Sequence, residues 1–475
     1  MLSLTPIEGE SVIRVERNIN TALSDWGNTP VFLEVSQARG VKTITSLEFS
    51  QRIIDAASQL RSWGIRERYL VPVFLGNSSD FITIFLALLH IGAVPVMAKL
   101  EYRTLELDEI FTNARPQAVI AEKEHLAFLK PYLQNTIVIT RAEGGFSLTQ
   151  AAEALKAQED VPDNIASINY TYRGYGYPLG AMLTHAQYLH GARVLQDGLH
   201  GKAGERMLSI LPMSHIFTIV GCILVPLLYR MTTVIVDTMH PRLLFQYIRD
   251  FRIDYVTSVP EIYELLCRLR DPAVDLSSLK VFISGGSSLN PDAYANIKQA
   301  FSVDLCHGYG LTECTPVSGN RRYETRQGTV GTLCDQVACR IDSPGPDGIG
   351  EILIKTPHMT GLYYRRPRES AEAHCDGWFR TGDTGRLDGG HLVFEKELKN
   401  TRKINGKLVD IEEVSRAIRA DSDVADVQVG WENNSLSARL ALSRRIDFAE
   451  KTDGLRTTLR TTLAEYKIPR RFSAV

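Results

Sequence analysis

Amphipathic helices alternate with short apolar strands along most of this 475-residue chain. The segment from Thr45 to Trp63 carries apolar residues at helical spacing, and an apolar run from Tyr69 to Leu75 follows it. Strands that recur after intervening helices lie parallel in one sheet, with helices covering both faces. The sequence therefore predicts an α/β fold with doubly wound βα subdomains, and the same pattern predicts strands at 94–97, 118–121, 136–139, 233–236, 255–258 and 281–284. The first helix is expected to bury Leu47, Ile53, Ile54, Ala57 and Leu60.

The pattern changes after Gly328, where alternating apolar residues such as those of 350–355 predict antiparallel strands. Charged residues concentrate from Lys396 onward, and we expect a linker there. We predict a large N-terminal domain over residues 1–395 and a small, shortened α+β domain over residues 396–475. The elements predicted in the small domain are helices at 411–420 and 454–466 and strands at 425–429 and 437–442.

Composition excludes several classes of protein. The 53 Lys and Arg nearly balance the 55 Asp and Glu, which argues against a dedicated nucleic-acid binder. The seven cysteines are scattered without a CxxC pair, which indicates reduced thiols in a cytoplasmic protein and no cysteine-based metal site. The apolar stretches 81–98 and 216–229 contain glycine or proline, so we expect buried helix-then-strand segments and no membrane span.

Three glycine-bounded segments carry residues suited to nucleotide chemistry. Segment 169–180 is a Gly-rich loop of the kind that brings backbone N–H groups close to phosphates, although a surface turn has the same composition. Segment 307–313 places Thr312 beside Glu313, a pair that can hold Mg²⁺ and phosphate oxygens or simply begin a helix. In segment 377–385, Asp383 is placed to accept hydrogen bonds from ribose hydroxyls, or to stabilise a hairpin turn.

Taken together and in this order, the segments resemble the signature elements of the adenylate-forming superfamily, which includes acyl-CoA synthetases, adenylation domains of peptide synthetases and luciferases. The first element is matched by Tyr170, Thr171, Gly176, Pro178, Gly180, Thr184 and His185, and the others by 211–215, 284–289, 309–313, 328–331 and 378–383. The resemblance implies a large domain of doubly wound subdomains with a distorted β-barrel and a small α+β domain. It also implies attack of a carboxylate on the α-phosphate of ATP with Mg²⁺, followed by transfer of the acyl group to a thiol of CoA or a phosphopantetheine carrier protein.

The resemblance also implies roles for individual residues. His215 would lie beside the reacting carboxylate, Thr312 and Glu313 would hold phosphate and Mg²⁺, and Tyr309 would stack on adenine, although packing in the core is the alternative for His215 and Tyr309. Asp383 would bind ribose, and Lys399 would be the hinge about which the small domain rotates. The remaining expected contacts to nucleotide or acyl group are Thr171, Gly174, Gly176, Thr184, Gly285, Gly286 and Gly310.

The chain departs from the family pattern at its cationic positions. Leu179 stands where the loop lysine is usual, and Arg173 is the only Lys or Arg between Asn169 and His185. We expect Arg173 to act as a bidentate phosphate ligand, or else to be exposed without a role. Lys396 and Glu397 replace the usual Gly-Arg pair, and the chain ends at Val475, before the family's final lysine. Candidates to replace that lysine are Lys467, Arg470 and Arg471.

The sequence limits the acyl substrate and the activity only to broad classes. The apolar segment 216–223 disfavours an amino acid and favours a fatty, aryl or alicyclic acid. The leading hypothesis is an acid–thiol ligase that converts ATP to AMP and pyrophosphate. The alternatives are an amide-forming ligase with an amine acceptor, and a catalytically impaired homologue that binds a ligand as a scaffold.

Overall fold

The computed structural model describes residues 14–38, 40–142, 145–153, 155–236, 240–314, 316–397, 401–404, 407–432, 435–444 and 446–474. Its strands form two large sheets, of seven and fourteen strands, and two small sheets near the C-terminus. The predicted α/β class is confirmed.

The seven-stranded sheet is parallel in its centre and antiparallel at both edges. In spatial order its strands are Gly145–Gln150, Ile137–Ala142, Ala118–Glu122, Leu70–Phe74, Val94–Met97, Ile165–Thr171 and Leu179–Thr184. The last two strands form a hairpin around the predicted Gly-rich loop, in which Thr171 lies opposite Leu179.

The fourteen-stranded sheet changes from parallel to antiparallel at the strand Asp304–Tyr309. In spatial order its strands are Ala338–Asp342, Gly350–Lys355, Trp378–Asp388, His391–Glu397, Thr332–Leu333, Ser318–Gly319, Asp304–Tyr309, Val281–Ser284, Tyr255–Ser258, Arg206–Ser209, Thr232–Val236, Pro30–Ser36 and Gly40–Thr45, with His374–Cys375 paired to Trp378–Asp388. Parallel sheets bind ligands beyond the carboxyl ends of their strands, so this change of direction locates a candidate site.

The C-terminal region, residues 401–474, has its own sheets and apolar core. One sheet pairs Thr401–Ile404 with Lys407–Asp410, and the other consists of Val424–Glu432, Ser435–Leu442 and Arg471–Ala474. The division of the chain at residue 396 remains a prediction.

The helices pack mainly on the faces of the sheets. They are Val15–Ser24, Ser46–Ser62, Ser79–Ile91, Thr104–Ala114, Leu126–Leu129, His185–Leu199, Ile216–Thr218, Val225–Tyr229, Pro241–Asp250, Pro260–Leu269, Pro291–Phe301, Pro367–Glu372, Ile411–Arg419 and Phe448–Thr462, with a π-helical segment at Ile219–Leu224 and short 3₁₀ turns at Lys123–His125, Lys130–Tyr132 and Glu465–Lys467. Within the described ranges, none of the helices is both long enough and apolar enough to cross a membrane.

Three predictions about helices were wrong in detail. Leu47 and Ile54 are exposed, because the buried face of Ser46–Ser62 runs instead through Phe49, Ile53, Ala57 and Leu60. The stretch 216–229 is helical throughout and the strand begins only at Thr232, because a run that is apolar on every side carries no period. The last long helix is Phe448–Thr462, since the side chain of Asp447 caps its start by accepting from the N–H of Glu450.

Candidate active site

A cavity of about 210 Å³ opens where the two large sheets and the C-terminal region meet. Its wall includes ten of the residues predicted from the sequence. They are Thr171, Arg173, His215, Gly285, Gly286, Tyr309, Gly310, Thr312, Glu313 and Asp383. Segments that are distant in sequence therefore converge on one space.

Two neighbouring parallel strands deliver the centre of this wall. Val281–Ser284 is followed by Gly285 and Gly286, and the adjacent Asp304–Tyr309 is followed by the segment 310–313. Gly286 has a positive φ of 81°, which a residue with a side chain adopts only under strain. The backbone therefore turns sharply at the strand end and leaves room for a ligand.

Tyr309 and Asp383 form a buried, hydrogen-bonded pair in the cavity wall. The Tyr309 hydroxyl donates to Oδ2 of Asp383 at 2.5 Å, and the tyrosine ring lies 5.7 Å from that of Phe394. Burial, reinforced by the Asp383 carboxylate, raises the pKa of Tyr309 well above its usual value. The phenol is therefore a neutral donor that holds the carboxylate in place at the cavity wall.

Arg173 is a buried cation in the site and not an exposed residue. Its Nη1 donates to Oε1 of Glu313 at 3.2 Å, and its Nη2 donates to the carbonyl oxygen of Arg380 at 2.5 Å. The guanidinium lies 4.7 Å from the centroid of the Phe379 ring, and Glu313 also accepts from the hydroxyl of Tyr363. A positive charge thus enters the cavity from the Gly-rich loop, although the usual loop lysine is replaced by Leu179.

His215 precedes the short helix Ile216–Thr218. Its Nδ1 accepts from the backbone N–H of Phe217 at 3.2 Å, so Nδ1 carries no proton. Burial, together with the positive charges of Lys99 and Lys403, lowers the pKa of His215 to about 3. The imidazole is therefore neutral near pH 7.

This low pKa predicts a pH-dependent contribution to stability. Below about pH 6.5 the unfolded chain binds a proton at His215 that the folded chain does not bind. The free energy of unfolding should therefore fall as the pH drops from 6.5 to 4, by up to about 1.4 kcal/mol per pH unit from this residue. Urea denaturation at pH 7, 6 and 5 gives the free energy of unfolding at each pH. We expect it to change less with pH in His215→Gln than in the original chain. The same pH dependence in both chains would contradict a neutral, buried His215.

Gly176 of the Gly-rich loop contacts the C-terminal region instead of the cavity. The N–H of Gly176 donates to Oδ2 of Asp410 at 3.1 Å, and Nη2 of Arg416 donates to the Gly176 carbonyl oxygen at 2.8 Å. A Cβ at Gly176 would lie 3.2 Å from Cγ of Glu412, so the close approach favours glycine. The predicted contact Gly174 does not line the cavity either.

Thr184, another predicted contact, does not line the cavity. Thr184 caps the helix His185–Leu199, where its hydroxyl accepts from the N–H of Gln187 at 3.0 Å. Lys399, the predicted hinge, lies outside the described residues. Their roles in binding remain predictions.

A buried charge cluster joins the loop to the C-terminal region. Lys467 Nζ donates to Oε1 of Glu106 at 2.6 Å, to Oε2 of Glu413 at 2.5 Å and to the Tyr172 hydroxyl at 2.7 Å. The tyrosine hydroxyl in turn donates to Oε1 of Glu413 at 2.5 Å. Lys467 is fully buried here and does not line the cavity, so it is not placed to act on a ligand there. Arg470 and Arg471 also lie outside the cavity wall.

Sequence reasoning missed two lysines of the cavity wall, Lys99 and Lys403. The signal for Lys99 was a single charge directly after the buried strand Val94–Met97. Lys403 lies in the charged stretch that we interpreted only as a linker.

Comparison with known proteins fits this geometry. The family model described as AMP-binding enzyme matches residues 21–364. The chain belongs to this family. Two relatives of this AMP-binding enzyme are feruloyl-CoA synthase of Amycolatopsis sp., 26% identical over 91% of this chain and 90% of the relative, and 4-coumarate–CoA ligase 1 of Arabidopsis thaliana, 26% identical over 78% and 73%.

Solved structures share the fold of this AMP-binding enzyme. The amide bond synthetase McbA from Marinactinospora thermotolerans superposes with a TM-score of 0.83 at 20% identity, covering 97% of this chain and 95% of the other. The o-succinylbenzoate CoA synthetase MenE from Bacillus subtilis, bound with a product analogue, gives 0.82 at 20% identity, covering 96% and 94%.

Proposed function

We propose that this AMP-binding enzyme activates an apolar carboxylic acid with ATP and transfers the acyl group to a thiol. The observation that carries the proposal is the convergence of Tyr309, Thr312, Glu313 and Asp383 on one cavity with His215 and Arg173. Adenylation requires a carboxylate and an α-phosphate to be held in line while negative charge grows on the phosphate. The buried guanidinium of Arg173 supports this because it supplies a positive charge held in place at the cavity wall.

The residues also fit a magnesium ion held together with a nucleotide. Across the described ranges there is no group of three or more His, Cys, Asp or Glu placed to bind a metal alone. Mg²⁺ commonly uses one or two protein oxygens together with substrate phosphates, and Thr312 and Glu313 offer a hydroxyl and a carboxylate. When bound, the ion would neutralise phosphate charge. Tyr309 and Asp383 would then hold adenine and ribose.

The apolar part of the wall supports an aromatic acid as substrate. The helix His185–Leu199 contributes Val194, Leu195 and Leu199, and Phe217 faces Gly285 so closely that a Cβ there would lie 3.4 Å from the ring. A wall of aliphatic side chains and one aromatic ring suits a flat apolar acid. The two relatives described above are named for coumarate and ferulate, which are aromatic acids.

CoA or a phosphopantetheine carrier protein is the proposed acceptor, since both relatives are named for CoA. An amine acceptor is the second candidate, favoured by the fold match to an amide bond synthetase. A ligand-binding scaffold is the third candidate. Glu313, the proposed Mg²⁺ ligand, already accepts a hydrogen bond from Arg173, which favours this candidate. The cytoplasmic location remains a prediction.

Acid-dependent exchange of pyrophosphate into ATP, with Mg²⁺ and a panel of aryl, fatty and alicyclic acids, tests the proposal. We expect exchange with at least one aryl acid. Asp383→Ala should raise the apparent KM for ATP at least tenfold, whereas Asp388→Ala should not, because Asp388 lies on the same strand but pairs with Arg326 at the surface. Mass spectrometry of products formed with CoA or with an amine then distinguishes the acceptors. Folded protein that exchanges with no acid would favour the scaffold.

A further inference from the structure

Lys99 is a cation of the cavity wall, and no carboxylate in the described part of the chain forms an ion pair with it. It lies just beyond the strand Val94–Met97, whose neighbour Ile165–Thr171 leads into the Gly-rich loop. Its Nζ is 5.9 Å from the centroid of the Tyr102 ring, and within the described residues no carboxylate lies at ion-pair distance. The acids that it senses electrostatically are Glu101 and Glu106. Those acids are engaged elsewhere, Glu101 with Lys407 and Glu106 with Lys467.

The surroundings make this charge unfavourable until an anion arrives. Burial, together with the positive charge of Lys467, lowers the pKa of Lys99 to about 8. Lys99 is half-buried in the cavity wall, and ammonium groups with restricted access to water are normally paired. The ammonium is still mostly protonated near pH 7, so it remains available to bind an oxyanion.

Lys99 lines the cavity together with His215 and Lys403. Its charge acts on His215, as does that of Lys403, so the two lysines and the neutral imidazole share one corner of the cavity. Lys403 forms an ion pair with Glu397 at 3.9 Å, and Arg173 forms one with Glu313 at 3.2 Å. Lys99 pairs with neither of these two carboxylates. Leu179 stands at the loop position where a lysine is usual. It is uncharged and fully buried in its strand, so this position supplies no cation.

We infer that Lys99 binds an oxyanion of one of the two reactants, the acid or the nucleotide. It would do so in place of the loop cation that Leu179 cannot supply. The inference rests on the proposed function, because it assigns a group within the same site. Two oxyanions have the required chemistry, the carboxylate of the acid and the α-phosphate of the nucleotide. Either would pair with the ammonium and restore its usual basicity.

Calorimetric titration separates these two sources without requiring turnover. AMP and 4-coumarate are titrated separately into the full chain, into Lys99→Met and into Lys99→Arg. Lys355→Met is the control, since Lys355 is an exposed lysine at the end of the strand Gly350–Lys355 and does not line the cavity. We expect Lys99→Met to weaken one of the two ligands at least tenfold, Lys99→Arg to restore part of the loss, and Lys355→Met to stay within about twofold.

Every outcome decides the inference. A loss confined to 4-coumarate assigns the carboxylate, and a loss confined to AMP assigns the phosphate. Affinities within twofold for both ligands in Lys99→Met would overturn the inference, as would an original chain that binds neither. If the original chain supports no pyrophosphate exchange yet binds AMP, the proposed function fails while the AMP titration still decides the role of Lys99. Lys99→Gln replaces Lys99→Met if the latter does not fold.

Discussion

Lys467→Met is expected to lower the free energy of unfolding by about 3–5 kcal/mol. The lysine is fully buried between the carboxylates of Glu106 and Glu413, so its removal leaves two buried acids without a cation. Even with the lysine present, burial raises the pKa of Glu413 to about 7. Urea denaturation followed by circular dichroism and by tryptophan fluorescence measures the loss. Arg439→Met removes a surface partner of Glu432 and should change stability by no more than about 0.5 kcal/mol.

A charge-neutral variant separates the charge effect from packing. Glu106→Gln and Glu413→Gln added to Lys467→Met leave no unpaired ion in the cluster, so most of the lost stability should return. If the triple variant is as unstable as Lys467→Met, lost packing and not an unpaired charge is responsible. A Lys467→Met chain as stable as the original would contradict the importance of the cluster.

Arg173→Met is expected to lower the rate of pyrophosphate exchange at least tenfold, or about 1.4 kcal/mol in barrier height. The guanidinium is the charge that the Gly-rich loop brings to the cavity, and it also neutralises Glu313. Arg173→Lys should recover only part of the rate, because an ammonium cannot bond Glu313 and the Arg380 carbonyl in the same planar geometry.

Separate values of kcat and KM show what Arg173 does. A fall in kcat at unchanged KM for ATP indicates a charge that acts on the transition state, whereas a rise in KM indicates binding of the nucleotide. Arg380→Met is the control, because only the backbone carbonyl of that residue contacts Arg173 while its side chain pairs with Glu351. An unchanged rate in Arg173→Met would rule out the catalytic role.

Local patterns predicted the scaffold because they reflect short-range physics. The apolar runs predicted as strands at 255–258 and 281–284 are the strands Tyr255–Ser258 and Val281–Ser284 of the structure. Contacts between segments that are distant in the chain produce no local sequence pattern from which they could be predicted. The docking of Tyr172 on Glu413 and Lys467 joins residues more than two hundred positions apart. Lys99 was missed because one lysine after a strand is ordinary in sequence and unusual only once its neighbours are known.

The charge cluster has a consequence for how the protein is made. Glu106 and Lys467 are 361 positions apart, so during synthesis the helix Thr104–Ala114 leaves the ribosome long before its partner does. Contacts so distant in sequence form late in folding, since a long loop has to close first. A nascent chain that stops before residue 467 therefore retains carboxylates that only the missing lysine can neutralise. The cluster thus couples the stability of the Gly-rich loop to the completion of translation through residue 467.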